Sequence, residues 1–140
     1  MEVKALKQVQ QRDFDFYRLF MDHYILQIEC STLKDEPENR LNIIFPSGTL
    51  HYQVTTETYK DKITREIYKK ENKDYFFFEI VSKKEYSRYL EEESSGIFDT
   101  VRDDYHIYVF FFRDDVIEIV TYDEPIFVYS YTGEYEDIGY

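Results

Sequence analysis

Apolar residues along this chain recur in short runs and in alternations of period two, with turn-forming residues between them. Such patterning belongs to β-strands with one buried face. HYILQIECS (23–31) predicts a strand, KDEPEN a loop, RLNIIF (40–45) a second strand, Pro46-Ser47-Gly48 a turn and TLHYQVTT (49–56) a third strand. Together these read as an antiparallel meander. YFFFEIV (75–81), DYHIYVFFF (104–112), VIEIVTY (116–122) and PIFVYSY (125–131) predict four more strands. Residues 57–72 suit either period, because Ile63 and Ile67 lie four apart and fit one helix face or one strand face equally. Irregular structure with a strand is the reading adopted there.

Two stretches read as helical. Asp13 can cap a short helix carrying Phe14, Tyr17, Leu19, Phe20 and Met21, and Val3, Leu6 and Val9 suggest one or two turns before it. The second is SKKEYSRYLEEESSGIF, which predicts a helix over 83–95. Ser82 with Glu85 has the spacing of a capping box, and Gly96 followed by Ile97 fits a left-handed terminus. Tyr86, Tyr89 and Leu90 fall on one face and are expected to pack on a sheet. Lys83 and Lys84 stand in the first turn and Glu91, Glu92 and Glu93 in the last. Each has the wrong sign for the helix dipole, at a cost of about 0.3 to 1 kcal/mol per exposed charge. A local rule broken in this way marks either a solvated face or a place where function intrudes.

The segment DDYHIYVFFFRDDVIEIVTYDE (103–124) folds on paper into a hairpin bracketed and interrupted by acid pairs. With Asp114 and Asp115 as a two-residue turn, facing residues sum to 229, so Phe112 opposes Ile117, Phe110 opposes Ile119 and Glu118 lies across from Phe111. Phe110, Phe112, Ile117 and Ile119 then share a face that must be buried. Asp103, Asp104, Asp123 and Glu124 gather at one end, and the turn acids lie roughly 30 Å away. At strand ends such charge also protects against aggregation.

With 140 residues, 12 Phe and 15 Tyr, the chain has material for one domain with an aromatic core. The fold expected is α+β: one antiparallel sheet of about six or seven strands, packed by the helix at about 83–95 and by N-terminal helical turns. No apolar run approaches the ~20 residues that a bilayer requires. The opening MEVKALKQVQQRD mixes charges and amides where a signal peptide would be apolar, and Cys30 is alone, so a cytoplasmic protein without an internal disulfide is expected. Cys30 itself reads as a small buried hydrophobe.

Charge sharpens the picture. Residues 1–84 hold 14 acids and 14 Lys or Arg, whereas residues 85–140 hold 15 acids against Arg88, Arg102 and Arg113. The entire net charge of −12 therefore lies in the last two-fifths of the chain. Nucleic acid is disfavoured as a ligand, because phosphate binding needs clustered Lys and Arg. A basic protein partner is favoured instead.

Glu29, Glu79 and Glu118 stand in mid-strand among apolar residues. If they converged on one face, repulsion and desolvation would suit them to acid/base work or to a metal. Ordinary alternation on a sheet with one solvated face gives the same pattern. His23, His51 and His106 lack metal-ligand spacing, and no phosphate loop or nucleophile motif occurs. No catalytic residue, metal or cofactor is assigned.

The order of features S-x-x-E-Y-S-R-Y-L-E-E-E-S-S-G-I from Ser82, then H-I-Y from His106, V-I-E-I-V from Val116 and a following Glu124-Pro125, resembles small bacterial proteins of the toxin-immunity type. The resemblance spans mainly residues 75–128 and rests on caps, strands and turns, so no functional residue carries over. It implies a cytosolic protein that binds and blocks a toxin.

The function expected is a non-enzymatic acidic binding protein that blocks or sequesters a basic partner, with a nuclease-like bacterial toxin as the expected target. Its candidate contact residues are Glu91, Glu92, Glu93, Asp103, Asp104, Asp114, Asp115, Asp123 and Glu124, with Tyr105 and Tyr122 as aromatic anchors. The further tyrosines Tyr108, Tyr129, Tyr131 and Tyr135 lie among these acids and are expected in part at a solvent rim. Two alternatives stay open: a structural or regulatory interaction domain without polyanion mimicry, and a small enzyme using the strand glutamates.

Overall fold

A computed structural model of the chain describes residues 2–6, 16–23, 25–31, 39–56, 77–93, 98, 101–112, 115–131 and 134–137. Among these residues ten strands and one helix follow one another as β1 (Val3–Ala5), β2 (Phe16–Asp22), β3 (Ile25–Ser31), β4 (Asn39–Phe45), β5 (Thr49–Thr56), β6 (Phe77–Ile80), α1 (Lys83–Glu93), β7 (His106–Phe111), β8 (Asp115–Thr121), β9 (Ile126–Tyr131) and β10 (Glu134–Asp137). They build two antiparallel five-stranded sheets, ordered β1-β6-β7-β8-β5 and β10-β9-β4-β3-β2. The strands expected in one sheet of six or seven are thus divided between two. Among the described residues sheet dominates over one short helix, and the α+β class holds only in that coarse sense.

The layers follow from side-chain parity. Phe77, Tyr108, Phe110, Phe112, Ile117 and Ile119 of the first sheet pack against Leu26, Ile28, Cys30, Leu41, Ile43, Phe45 and Phe127 of the second. On its other face the first sheet meets α1, where Tyr86 and Leu90 join Phe78, Ile80, Ile107, Val109, Phe111, Val116 and Val120. The first sheet is therefore the inner layer, covered on both sides. That is why β7 and β8 are nearly continuous in apolar residues, as strands buried on both faces are. Aromatic edges interlock at the centre, with Phe77 and Phe110 at 5.1 Å and near-perpendicular. Truncating Phe110 to Ala there costs about 3 to 5 kcal/mol.

Three local expectations give way to tertiary pairing. Residues 3–5 and 16–22 are strands and not helical turns: Val3 pairs with Ile80, and β2 pairs along its length with β3. Tyr17 and Leu19 pack on the inter-sheet core while Arg18 and Phe20 point outward. That is period two, and pairing with β3 supplies the hydrogen bonds a helix would have made internally. The positions Asp13 and Phe14 lie outside the described residues, as does the ambiguous segment 57–72. The Pro46-Ser47-Gly48 turn does not close a meander, because β4 pairs with β3 and β9 whereas β5 pairs with β8. It carries the chain from one sheet to the other. Finally, facing residues of the β7–β8 hairpin sum to 227 and not 229: Phe110 opposes Ile117 and Val109 opposes Glu118. The last pair is Phe112 with Asp115, whose carbonyl accepts the Phe112 N–H at 2.9 Å. A shift of two residues preserves every face, so the expected buried set Phe110, Phe112, Ile117 and Ile119 stands.

The helix begins where the capping signal placed it. Ser82 C=O accepts the first helical bond from Tyr86 N–H, but the Ser82 hydroxyl accepts the N–H of Glu2 at 2.7 Å. The Ser82 hydroxyl thereby ties β1 to the start of α1. Residues 94–97, with the expected Gly96 terminus, lie outside the described residues, as does the side chain of Tyr89.

Candidate functional site

The hairpin ladder ends at His106 opposite Thr121, so the segments carrying Asp103-Asp104 and Asp123-Glu124 leave from the same end, as the sequence suggested. Asp115 is at the other end; Asp114, and the side chains of Glu92 and Glu93, lie outside the described residues. What the acids do there is more specific than solvation.

Asp123 is an internal clamp. Its Oδ2 accepts the N–H of Ser47 at 2.7 Å and the N–H of Gly48, while Tyr122 N–H donates to Gly48 C=O at 2.9 Å. The two chain crossings between the sheets, 46–48 and 122–125, are thereby fastened to each other. A Cβ on Gly48 would meet Asp123 Oδ1 at 2.8 Å, so the close approach needs glycine. Asp115 also fastens the fold, because Tyr17 OH donates to its Oδ2 at 2.5 Å and so joins edge strand β2 to the hairpin. Burial, then this hydrogen bond and the adjacent charge, raise the Tyr17 phenol well above its ordinary value.

Two of the wrongly signed charges of α1, Lys83 and Glu91, are engaged by the fold. Lys83 Nζ donates to the carbonyls of Asp103 and Tyr105 at 2.9 and 2.8 Å and sits 4.6 Å from the Tyr105 ring centroid. Glu91 accepts the N–H of Phe98 at 2.9 Å. Tyr105, placed by sequence at a partner-facing rim, is buried beneath Lys83 and beside Phe98. Tyr108 is likewise buried, inside the inter-sheet core. The side chains of Tyr129, Tyr131 and Tyr135 lie outside the described residues.

Asp103, Asp104 and Glu124 remain exposed at this end. Asp104 receives both Nε and Nη2 of Arg102, at 3.1 and 3.3 Å. The Arg102 guanidinium in turn covers the Tyr122 ring at 4.3 Å, and its backbone N–H donates to the Tyr122 hydroxyl at 3.0 Å. Sequence reading overlooked Arg102, although an arginine two residues from a carboxylate is the signal for such a pair. Both partners are well exposed, so the ion pair contributes less than about 1 kcal/mol.

The strand glutamates do not converge. Glu29 is in the outer sheet, beside Arg18 and Asn42, and alternates with the inward Ile28 and Cys30. Glu79 lies on the inter-sheet face of the inner sheet, opposite Tyr108, with His106 Nδ1 at 3.6 Å. Glu118 lies on the other face, under α1 and fully buried. There it accepts hydrogen bonds from Tyr86 OH and, at 3.0 Å, from Gln53 Nε2; Gln53 Oε1 is 3.1 Å from His51 Nε2. Division between the two sheets separates Glu29 from the other two, and strand parity puts Glu79 and Glu118 on opposite faces of the inner sheet. Among the described residues no group of three His, Cys, Asp or Glu is placed to hold a metal ion. Cys30 is buried in the inter-sheet core, as expected, and burial pushes its thiol pKa up. No described helix is long and apolar enough to cross a membrane. Comparison with known protein families, characterised proteins and solved structures returned no match.

Proposed function

We propose that this chain is a non-enzymatic binding protein that offers the acidic end of the β7–β8 hairpin to a basic protein surface. The observation that carries the reading is the confinement of all −12 net charge to residues 85–140. Asp103, Asp104 and Glu124 stand exposed where two strands of that region end, beside the half-buried Tyr122. Carboxylates so placed steer a basic partner and occupy positions that phosphates would take, and Tyr adds apolar contact with a hydrogen-bonding tip. Following the resemblance to toxin-immunity proteins, the partner is a nuclease-like toxin neutralised in the cytoplasm.

The test is surface plasmon resonance against the partner co-purified from the native host. Raising salt from ~10 mM to ~150 mM shortens the screening length from about 30 Å to about 8 Å and is expected to slow association steeply. Asp103→Asn with Asp104→Asn and Glu124→Gln is expected to lower the on-rate more than it raises the off-rate. Asp123 is left intact because it fastens the fold. A salt-independent on-rate, or a partner with an acidic contact surface, would overturn the proposal. The alternative of an interaction domain without polyanion mimicry draws on a different feature, the exposed apolar side chains Leu50, Tyr52 and Val54 on β5.

A further inference from the structure

We infer that the outer face of the second sheet is an interaction surface for a protein partner whose contact region is basic around an apolar centre. The inference rests on the acidic-end reading for the sign of the partner's charge, and Glu124 belongs to both surfaces. It adds the apolar contact that holds a partner once charge has brought it in.

Strand register builds this surface. Phe20 of β2 stands opposite Gln27 of β3, Gln27 opposite Ile44 of β4, and Ile44 opposite Ile126 of β9. Residues directly opposed in a ladder share a face. The positions flanking them, Leu26, Ile28, Ile43, Phe45 and Phe127, fill the inter-sheet core, so the row lies on the face turned away from the inner sheet. At about 4.8 Å per strand interval it runs roughly 15 Å across four strands. Phe20 is 40% and Ile126 38% exposed, and Ile44 is half-buried between them. Ile25, on the same face opposite Asp22, is 41% exposed. The solvated face of an antiparallel sheet ordinarily carries polar side chains, whereas this row is apolar except for Gln27.

The charges at its border decide what it takes. Exposed Asp22 stands across from Ile25 at one corner. At the other, Glu124 and Ile126 are exposed while Pro125 and Phe127 are buried, so Glu124 borders the row where β9 begins. The crossing at 122–125 joins this border to the hairpin end that carries Asp103 and Asp104. Arg18, one row away, is opposed by Glu29. An apolar strip rimmed by carboxylates fits a surface that is apolar at its centre and basic at its rim. A second copy of this chain would set Asp22 and Glu124 against the same acids, and an anionic membrane is repelled in the same way. The rim carboxylates then govern the on-rate, and the desolvated apolar centre governs the off-rate.

A synthetic amphipathic helical peptide of leucine and lysine, with the leucines on one face, serves as the probe. It is titrated into the isotope-labelled chain at low and at physiological salt, and amide shifts are followed by NMR. The expected result is a set of shifts centred on Phe20, Gln27, Ile44 and Ile126, with affinity that falls as salt rises. Phe20→Thr with Ile126→Thr, which keeps strand propensity, is expected to weaken binding about tenfold, the scale of losing an apolar anchor. Tyr52→Thr with Val54→Thr on β5 is expected to leave the affinity unchanged. The shift map of the wild-type chain is a readout that does not depend on any variant folding. Shifts confined to residues 102–105 and 122–124, unmoved by Phe20→Thr with Ile126→Thr, overturn this inference and leave the acidic-end reading standing. Shifts at the row with none at residues 102–105 uphold the surface and remove the hairpin end from the contact. No binding, equal binding of a leucine–glutamate peptide, or shifts at the row that grow with protein concentration before any peptide is added each overturn the inference.

Discussion

The phenol of Tyr86 on α1 donates its hydrogen bond to the carboxylate of Glu118 on β8, across the layer between helix and inner sheet. Glu118 is fully buried and has a second donor in Gln53, so the helix is held to the sheet by polar contact at the centre of an apolar patch. Tyr86→Phe takes away one donor and is expected to cost about 1 to 3 kcal/mol in urea unfolding. Tyr86→Phe combined with Glu118→Val is expected to cost less than the sum of the single changes, because neither group is then left buried without its partner. Strict additivity in that double-mutant cycle would show that the contact contributes nothing.

Asp123 fastens the two crossings between the sheets through Ser47 and Gly48. Asp123→Ala is expected to lower stability by about 1 to 3 kcal/mol, read as a lower denaturation midpoint at unchanged slope. Gly48→Ala is expected to destabilise as well, since its Cβ would press on Asp123 Oδ1. The two effects are expected to be subadditive, because Asp123→Ala removes the nearest atom in the clash.

For α1 the dipole argument and the structure give opposite signs. By dipole alone, Glu91→Lys with Glu92→Lys would leave stability unchanged or raise it slightly. With Glu91 accepting the Phe98 N–H, Glu91→Lys is expected to cost about 1 kcal/mol net of the dipole gain. Lys83→Met is expected to expose the carbonyls of Asp103 and Tyr105 to water and to speed amide exchange in residues 101–105. A thermal melt of each variant, with exchange measured on the second, separates the two accounts.

Alkaline pH is expected to weaken the fold through Tyr17 and Cys30. Both groups are held in their protonated forms, with folded pKa values raised above the unfolded ones, so the folded state binds more protons once pH exceeds those unfolded values. Their contribution is complete below about pH 8.5 for the thiol and about pH 10 for the phenol, and declines as pH rises through the folded values. Tyr17→Phe is expected to flatten the slope of stability against pH above ~10, where unfolded tyrosine ionises. Chemical unfolding at a series of pH values for both chains gives the slope directly.

Much of this molecule is local and therefore visible in sequence. The strand at 49–56 follows from its alternation and the start of α1 from the Ser82 signal, while the shared face of Phe110, Phe112, Ile117 and Ile119 survives even an error in the turn. The asymmetric charge is wholly a property of the sequence. What the sequence left open is the choice of neighbours, because pairing is set by contacts between distant positions. Residues 16–22 fit a helix face or a strand face until β3 lies beside them. The turn at 46–48 resembles a hairpin until β8 takes β5 into another sheet. Asp103, Asp104, Asp123 and Glu124 flank one end of the hairpin as the sequence suggests, but what each acid does depends on partners far along the chain: Asp123 holds Ser47 across 76 positions, and Asp115 takes the phenol of Tyr17 across 98. Which residues alternate and where charge collects are properties of the chain itself; only the packed sheets decide which carboxylates fasten the fold and which face the solvent.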